Sequence, residues 1–152
     1  MTEVRVTKKF TFEMAHALWN YDGVCSNIHG HSYILYVTVI GTPITDKNHV
    51  KLGMVIDFGD LKKIVKSEII DPFDHAVALN KDFPDLENFN VPEMFDRHHY
   101  LDYQPTCENM VIDFAQRINS KLTSSIQLFS VKLYETATSF AEWFAEDNKS
   151  FK

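Results

Sequence analysis

Two histidines one residue apart close the run Cys25-Ser-Asn-Ile-His29-Gly-His31. On a strand, residues two apart point to the same side, so both imidazoles can face one ion. Adjacent strands lie ~5 Å apart. His16, at the end of an earlier strand, therefore reaches the same point if the two strands pair. Three neutral nitrogens with a fourth position left open form the arrangement of catalytic zinc. A bare His-x-His pair is more often two strand histidines at a surface or in a satisfied core. It is His16 and Cys25 that turn the run into a candidate metal site. Cys25 has two readings: a small buried apolar residue, or a thiolate base or nucleophile activated by a nearby metal or imidazolium. Sulfur ligation by Cys25 would close the site, and the sequence leaves that open.

Three further groups carry chemistry. In Asp74-His75 a carboxylate adjoins an imidazole, and such a pair can fix the ring's tautomer and stabilise its protonated form. Adjacent residues on a regular element diverge, so a turn aspartate beside a surface histidine is the plainer reading. Glu135 shares parity with Phe129, Val131 and Leu133, which allows two readings: a carboxylate on the covered face, where it needs a partner, or a strand-end glutamate in solvent. A guanidine-like ring edge would supply that partner in two parallel hydrogen bonds. Glu108 sits in the first turn of a helix, where a favourable contact with the helix dipole already accounts for it. Thr106 precedes that helix as an N-cap. Cys107 reads as a helix-start residue, and His49, His98 and His99 as loop residues.

The elements that must position these groups are legible from periodicity. Val4, Val6, Phe10, Phe12 and Met14 alternate with polar residues, giving a half-buried strand. A second strand is expected over His29–Ile40, with Tyr33, Leu35, Val37 and Val39 on one face and Ile34, Tyr36 and Ile40 on the other. Both faces are apolar, so both call for cover; a helix layer is one, and a neighbouring subunit could be the other. Phe58, Leu61, Ile64, Val65 and Ile69 make a helical stripe over Asp57–Ile70, with Pro72 as its stop. Val111, Phe114, Ala115, Ile118 and Leu122 make a second over Glu108–Leu122. Strands are expected at Ile126–Glu135, with Phe129, Val131 and Leu133 on one face, and at Ser139–Ala145. Lys81–Gln104 reads as an unusually long loop, which is a sign of a functional or oligomer-facing segment. The order strand, strand, helix, loop, helix, strand, strand does not alternate as a parallel α/β fold would. It predicts an α+β architecture: a four-stranded antiparallel sheet with two helices on one face.

Composition bounds the rest. The 152 residues suggest one domain over 1–152. Five glycines and five prolines argue against a disordered chain. A net charge of −6 disfavours nucleic acid as the main partner, since phosphate contacts need a basic face. No apolar run approaches the ~18 residues of a membrane span. The start, MTEVRVTKKF, lacks the apolar core of an export signal. Both cysteines are therefore expected reduced, in the cytoplasm.

Taken together, the motifs resemble the 6-pyruvoyl-tetrahydropterin synthase and 6-carboxytetrahydropterin synthase superfamily of the tunnelling fold. The matching stretches are Phe10-Thr-Phe12-Glu-Met-Ala-His16, Cys25-x-x-x-His29-Gly-His31-Ser, Gly53-Met-Val-Ile-Asp57-Phe58, Asp74-His75 with Leu79-Asn80, Pro105-Thr106-x-Glu108-Asn109 and Glu135-Thr136. They occur in family order and span nearly the whole chain. The resemblance implies His16, His29 and His31 as zinc ligands, Cys25 as catalytic cysteine, and Asp74 with His75 completing a proton relay. It implies Glu135 as the anchor of a pterin ring, with Thr106 and Glu108 lining the pocket. It also implies a homo-oligomer, a trimer whose sheets close a barrel, doubled to a hexamer, with sites between subunits. The three residues between Cys25 and His29 resemble the short spacing of bacterial 6-carboxytetrahydropterin synthases of queuosine biosynthesis. Two features depart from the pattern: Cys107 stands where Ser or Thr is more usual, and Lys81–Gln104 is longer than in compact bacterial members.

The implied reaction takes 7,8-dihydroneopterin triphosphate, a small anionic substrate, to 6-carboxy-5,6,7,8-tetrahydropterin, with acetaldehyde and triphosphate released. Zn²⁺ would act as a Lewis acid on the side-chain oxygens, while Cys25 and an Asp74-steadied His75 move protons. The alternatives are a 6-pyruvoyl-tetrahydropterin synthase, which releases no acetaldehyde, and a non-catalytic zinc- or pterin-binding protein. A cupin-like site also uses His-x-His but wants a carboxylate ligand shortly downstream, and residues 32–44 contain none.

Overall fold

The computed structural model describes residues 1–149 except 85, 89 and 90. Two long strands form its spine: β1 (Val4–His16) and β2 (His29–Gly41) pair antiparallel along their whole length. Alternation sends Phe12 and Met14 of β1, and Tyr33, Leu35, Val37 and Val39 of β2, into the core, each at most 2% exposed. Phe12 stacks on Tyr33 across the pair, ring centroids 5.0 Å apart. Ile34, Tyr36 and Ile40 on the reverse face are only half-buried.

The sheet has six strands in the order β4-β3-β1-β2-β5-β6, not four. The two that periodicity missed are β3 (Ala76–Asn80) and β4 (His98–Leu101). β3 runs parallel to β1, and β4 parallel to β3, so the sheet is mixed rather than antiparallel. β3 is short and buried on both faces, so its Ala-Val-Ala-Leu run shows no alternation to detect. Ala78 joins the main core, whereas Val77 and Leu79 meet Ala17, Leu86 and Phe95 on the reverse face. The segment expected as a loop over Lys81–Gln104 thus supplies β4, a 3-10 turn at Leu86–Asn88, a short helix α3 (Val91–Met94) and cover for the far side of β3. His98 and His99 lie on β4, not in a loop.

Helix α1 (Phe58–Val65) starts at Asp57, whose side chain accepts from the Gly59 N–H. It continues through a π-turn, Lys66–Ile70, into α2 (Asp71–Phe73). Pro72 therefore does not stop the helix. In the π-turn the Asp71 N–H bonds to the Lys66 carbonyl, five residues back. That wider turn relieves the clash a proline ring makes with the carbonyl four residues before it. Leu61, Val65, Ile69 and Phe73 are fully buried, but Phe58 is half exposed, contrary to its place in the stripe. Helix α4 (Cys107–Asn119) is capped by Thr106, whose hydroxyl accepts from the Asn109 N–H. It buries Met110, Val111, Phe114, Ala115 and Ile118.

β5 (Gln127–Tyr134) and β6 (Phe140–Phe144) complete the antiparallel side. The pairing of β2 with β5 slips between Thr38 and Val39, opposite Ser130 and Leu128. The residue left over is Phe129. This bulge puts Leu128, rather than Phe129, in the core with Val131 and Leu133. Phe129 instead lies beneath the Arg5 guanidinium, 3.7 Å from it.

Phe114 joins the helix layer to the sheet through ring contacts with Phe12 and Phe73. Phe114→Ala is expected to cost roughly 3–5 kcal/mol, read as a lower urea midpoint with an unchanged slope.

Candidate active site

The β1–β2 register sets His16 directly opposite His29, and Met14 opposite His31. All three imidazoles project to the helix-covered face, and a ligand nitrogen from each lies within 4.8 Å of the others. The Nδ1 of His16 is 2.7 Å from the Pro105 carbonyl, and that of His29 is 2.7 Å from the Asn27 carbonyl. A carbonyl only accepts, so each Nδ1 carries a proton, and in a neutral ring the Nε2 is then a bare lone pair. Those two Nε2 atoms face one another at 3.0 Å. With both rings neutral and their protons on Nδ1, this contact is two facing lone pairs. Among the described residues, the Nε2 of His31 is buried without a hydrogen-bond partner.

This donor set fits a metal ion. The carbonyls fix two rings by the outer-shell device common to metal-bound histidines, and a cation would satisfy nitrogens that otherwise repel or stand unpaired. Burial pushes the His16 pKa down to about 4; the Pro105 hydrogen bond opposes the shift, and His29 and His31 add to it. His16 is therefore neutral, as a ligand must be, around pH 7.

Glu135 follows β5 on the same face. Its Oε1 is 3.8 Å from His31 Nε2, and its side chain is about a quarter exposed, 26%. The carboxylate thus borders the imidazoles and remains reachable. Tyr33 lies below them, edge-on to His16 and His31. Among the described residues, its hydroxyl is buried without a hydrogen-bond partner. Burial, then the charges of Glu135 and Cys107, hold its pKa well above the ordinary phenol range. Sequence reasoning assigned Tyr33 to the core only; its chemical surroundings become visible when Glu135 and Cys107 are placed beside it.

Thr106 is spent on capping α4, and Glu108 is exposed in the helix's first turn. Cys107 is buried, with its thiol donating to the Leu133 carbonyl at 3.2 Å. It tethers the start of α4 to β5. Cys25 lies in a 3-10 turn, Val24–Ser26, between β1 and β2. Its carbonyl accepts from the Leu18 N–H, and the residue is half-buried.

Asp74 and His75 do touch: Nδ1 of His75 is 3.0 Å from Oδ1 of Asp74. The same oxygen accepts from the Glu13 N–H at 2.9 Å. Burial raises the Asp74 pKa, but Glu13, His75 and Arg97 outweigh it and hold the carboxyl below its usual range. His75 has a φ of 59°, uncommon for a residue with a side chain. It shares an open depression of about 350 Å³ with Glu13, Met14, Ala15, Gly30, His31, Ser32 and Ala76. Glu13, Ala15, Gly30 and Ser32 have the opposite strand parity to the three imidazoles, whereas Met14 and His31 share theirs. A larger cavity, about 610 Å³, lies beside Leu122, Leu128 and Trp143 and is lined by none of these groups.

The family model for 6-pyruvoyl tetrahydropterin synthase matches residues 5–146. The chain belongs to this family. It is 36% identical over 141 residues to the 6-carboxy-5,6,7,8-tetrahydropterin synthase of Haemophilus influenzae, covering 91% of this chain and 97% of the relative. To the enzyme of that name from Rickettsia typhi it is 34% identical over 145 residues, covering 91% and 99%. The solved structure of Caenorhabditis elegans 6-pyruvoyl tetrahydropterin synthase superposes with a TM-score of 0.66 at 26% identity, covering 95% and 96%. The family's fold agrees with the α+β arrangement of sheet and helices found in this chain.

The two cysteines should react differently. Burial, then the charges of Glu135 and Glu108, push the Cys107 thiol up to about 11 against a hydrogen bond from the Ala141 backbone. One thiol per native chain should label rapidly with Ellman's reagent at pH 8, and Cys25→Ala should abolish that phase. Cys107 should label only on unfolding, or as the pH climbs toward 11.

Proposed function

We propose that the protein is a zinc-dependent carbon–carbon lyase, a 6-carboxytetrahydropterin synthase. It converts 7,8-dihydroneopterin triphosphate to 6-carboxy-5,6,7,8-tetrahydropterin with release of acetaldehyde and triphosphate, in queuosine biosynthesis in the cytoplasm. The observation that carries this reading is the convergence of three imidazole nitrogens beside the reachable Glu135 carboxylate. The two curated relatives described above have the same name and exceed 30% identity over most of the chain.

His16, His29 and His31 would hold the zinc. When bound, zinc supplies a Lewis acid for oxygens of the substrate side chain. Glu135 accepts hydrogen bonds from the guanidine-like edge of the pterin, so its contribution is orientation. Thr106 and Glu108 border the ring. Cys25 is the base that moves a side-chain proton, and His75, steadied by Asp74, gives or takes the second.

This division of labour calls for more than one copy. Glu13, Ala15, Gly30 and Ser32 around His75 have the opposite parity to the imidazoles, which supports the reading that the pair serving each zinc comes from a neighbouring subunit. Residues 1–152 form one tunnelling-fold domain, assembled as a trimer and doubled to a hexamer. The half-buried reverse face at Ile34, Tyr36 and Ile40 becomes covered in that assembly. The substrate is a small molecule; nucleic acid and membrane play no part. Among the described residues, no helix is long and apolar enough to cross a membrane.

The test is mass-spectrometric product analysis of zinc-loaded protein with 7,8-dihydroneopterin triphosphate and an acetaldehyde trap. The expected result is 6-carboxytetrahydropterin with equimolar acetaldehyde. A 6-pyruvoyl product without acetaldehyde would move the protein to the sister reaction, and no product from folded, zinc-loaded protein would overturn the assignment. Cys25→Ala should keep its zinc and lose turnover by ~10²-fold or more, whereas His31→Ala should lose zinc.

A further inference from the structure

We propose that Arg97, delivered by the long segment between β3 and α4, is the positioning residue that sets His75 for proton transfer. The proposal rests on the proposed catalytic role of the Asp74–His75 pair. Its own basis is the way one peptide plane is held.

α2 ends at Phe73, and the carbonyls of a helix's last turn lack partners within the helix. Here Arg97, just before β4, and His99, within it, supply donors. The Arg97 Nε–H donates to the Asp74 carbonyl at 3.0 Å, and a terminal guanidinium nitrogen donates to the Asp71 carbonyl. Two residues on, the His99 Nε2–H donates to the Pro72 carbonyl at 2.6 Å, with its ring 4.9 Å from that of Phe73. Arg97 is itself anchored, because its backbone carbonyl accepts from the Val77 N–H at 3.0 Å.

The peptide between Asp74 and His75 is the element that matters. Arg97 grips its carbonyl. Its N–H donates to the Glu13 carbonyl at 2.6 Å. Holding both polar atoms of one peptide plane fixes the backbone torsions on either side of it, including the positive φ of His75. A strained torsion persists only where its surroundings over-determine it. That torsion directs the imidazole back onto Asp74, whose carboxylate is itself held by the Glu13 N–H. Removing Arg97 leaves the Glu13 contacts in place but frees the carbonyl half of the clamp. The guanidinium's planar fork reaches two carbonyls at once; a lysine ammonium is a point donor and does not reproduce it.

The experiment compares wild type, Arg97→Ala and Arg97→Lys as zinc-loaded full-length protein, by turnover of 7,8-dihydroneopterin triphosphate and by long-range ¹H–¹⁵N spectra of the histidine rings. The His75 signals are assigned with His75→Gln. The expected result for Arg97→Ala is a kcat lower by about 10²-fold, the cost of a misplaced group, with KM and zinc content unchanged. Dilute guanidinium chloride should restore part of it, sodium chloride none, and Arg97→Lys should recover little. The His75 Nδ1 signal should lose its hydrogen-bonded position in Arg97→Ala. A kcat equal to that of an active wild type, or a His75 signal unmoved by the substitution, would overturn the proposal. If wild type itself gives no product, the assigned reaction fails, and the ring spectra still decide whether Arg97 holds His75.

Discussion

β1 and β2 pair from Val4 opposite Gly41 to His16 opposite His29, and the site exists only in that register. A slip of one residue would turn every side chain of one strand to the other face. His16 would then leave the side occupied by His29 and His31, and Phe12 would leave Tyr33. The core therefore fixes the register, and the register places the three imidazoles that could hold a metal ion. Phe12, Met14, Tyr33, Leu35, Val37 and Val39 hold the two strands against the helices, and the same parity brings three imidazoles to the sheet end.

Polar groups enter this core under restraint. His16 is 1% exposed and would be costly there as a charged ring. Burial lowers its pKa and the Pro105 carbonyl takes its one proton, which leaves the other nitrogen free to ligate. Pro105 lies just before the α4 cap at Thr106, so the helix start and the placement of the His16 ring are one construction. The Cys107 tether from α4 to the Leu133 carbonyl reinforces it two residues before Glu135.

Much of this was legible in the chain itself. The alternation of β1, the His29-x-His31 spacing and the stripes of α1 and α4 each follow from the period of one element. What periodicity missed depends on tertiary context. β3 has apolar neighbours on both faces and shows no alternation. β4 is four residues long and set in a segment of prolines and acids. Phe129 leaves its expected face because of a bulge against β2, and Pro72 is tolerated inside a helix because a π-turn precedes it. Asp74 and His75 meet although neighbours on regular elements diverge, because His75 is not in a regular conformation. The family motifs had marked that pair, but no local pattern foretold its torsion.

The missed strands and the missed torsion have a common cause. A parallel pairing of β3 with β1 requires the chain to arrive from the far end of the sheet, which α1, the π-turn and α2 accomplish. The chain must then reverse from helix to strand within two residues, Asp74 and His75. A left-handed residue makes so tight a reversal, and glycine would adopt it at no steric cost. An imidazole at that point carries a conformational penalty that the fold alone does not require. The carbonyl and N–H of the 74–75 peptide, the Asp74 carboxylate and the Arg97 guanidinium are all arranged to hold it. Strain maintained by that many converging contacts is better explained by what the ring does than by what the backbone needs.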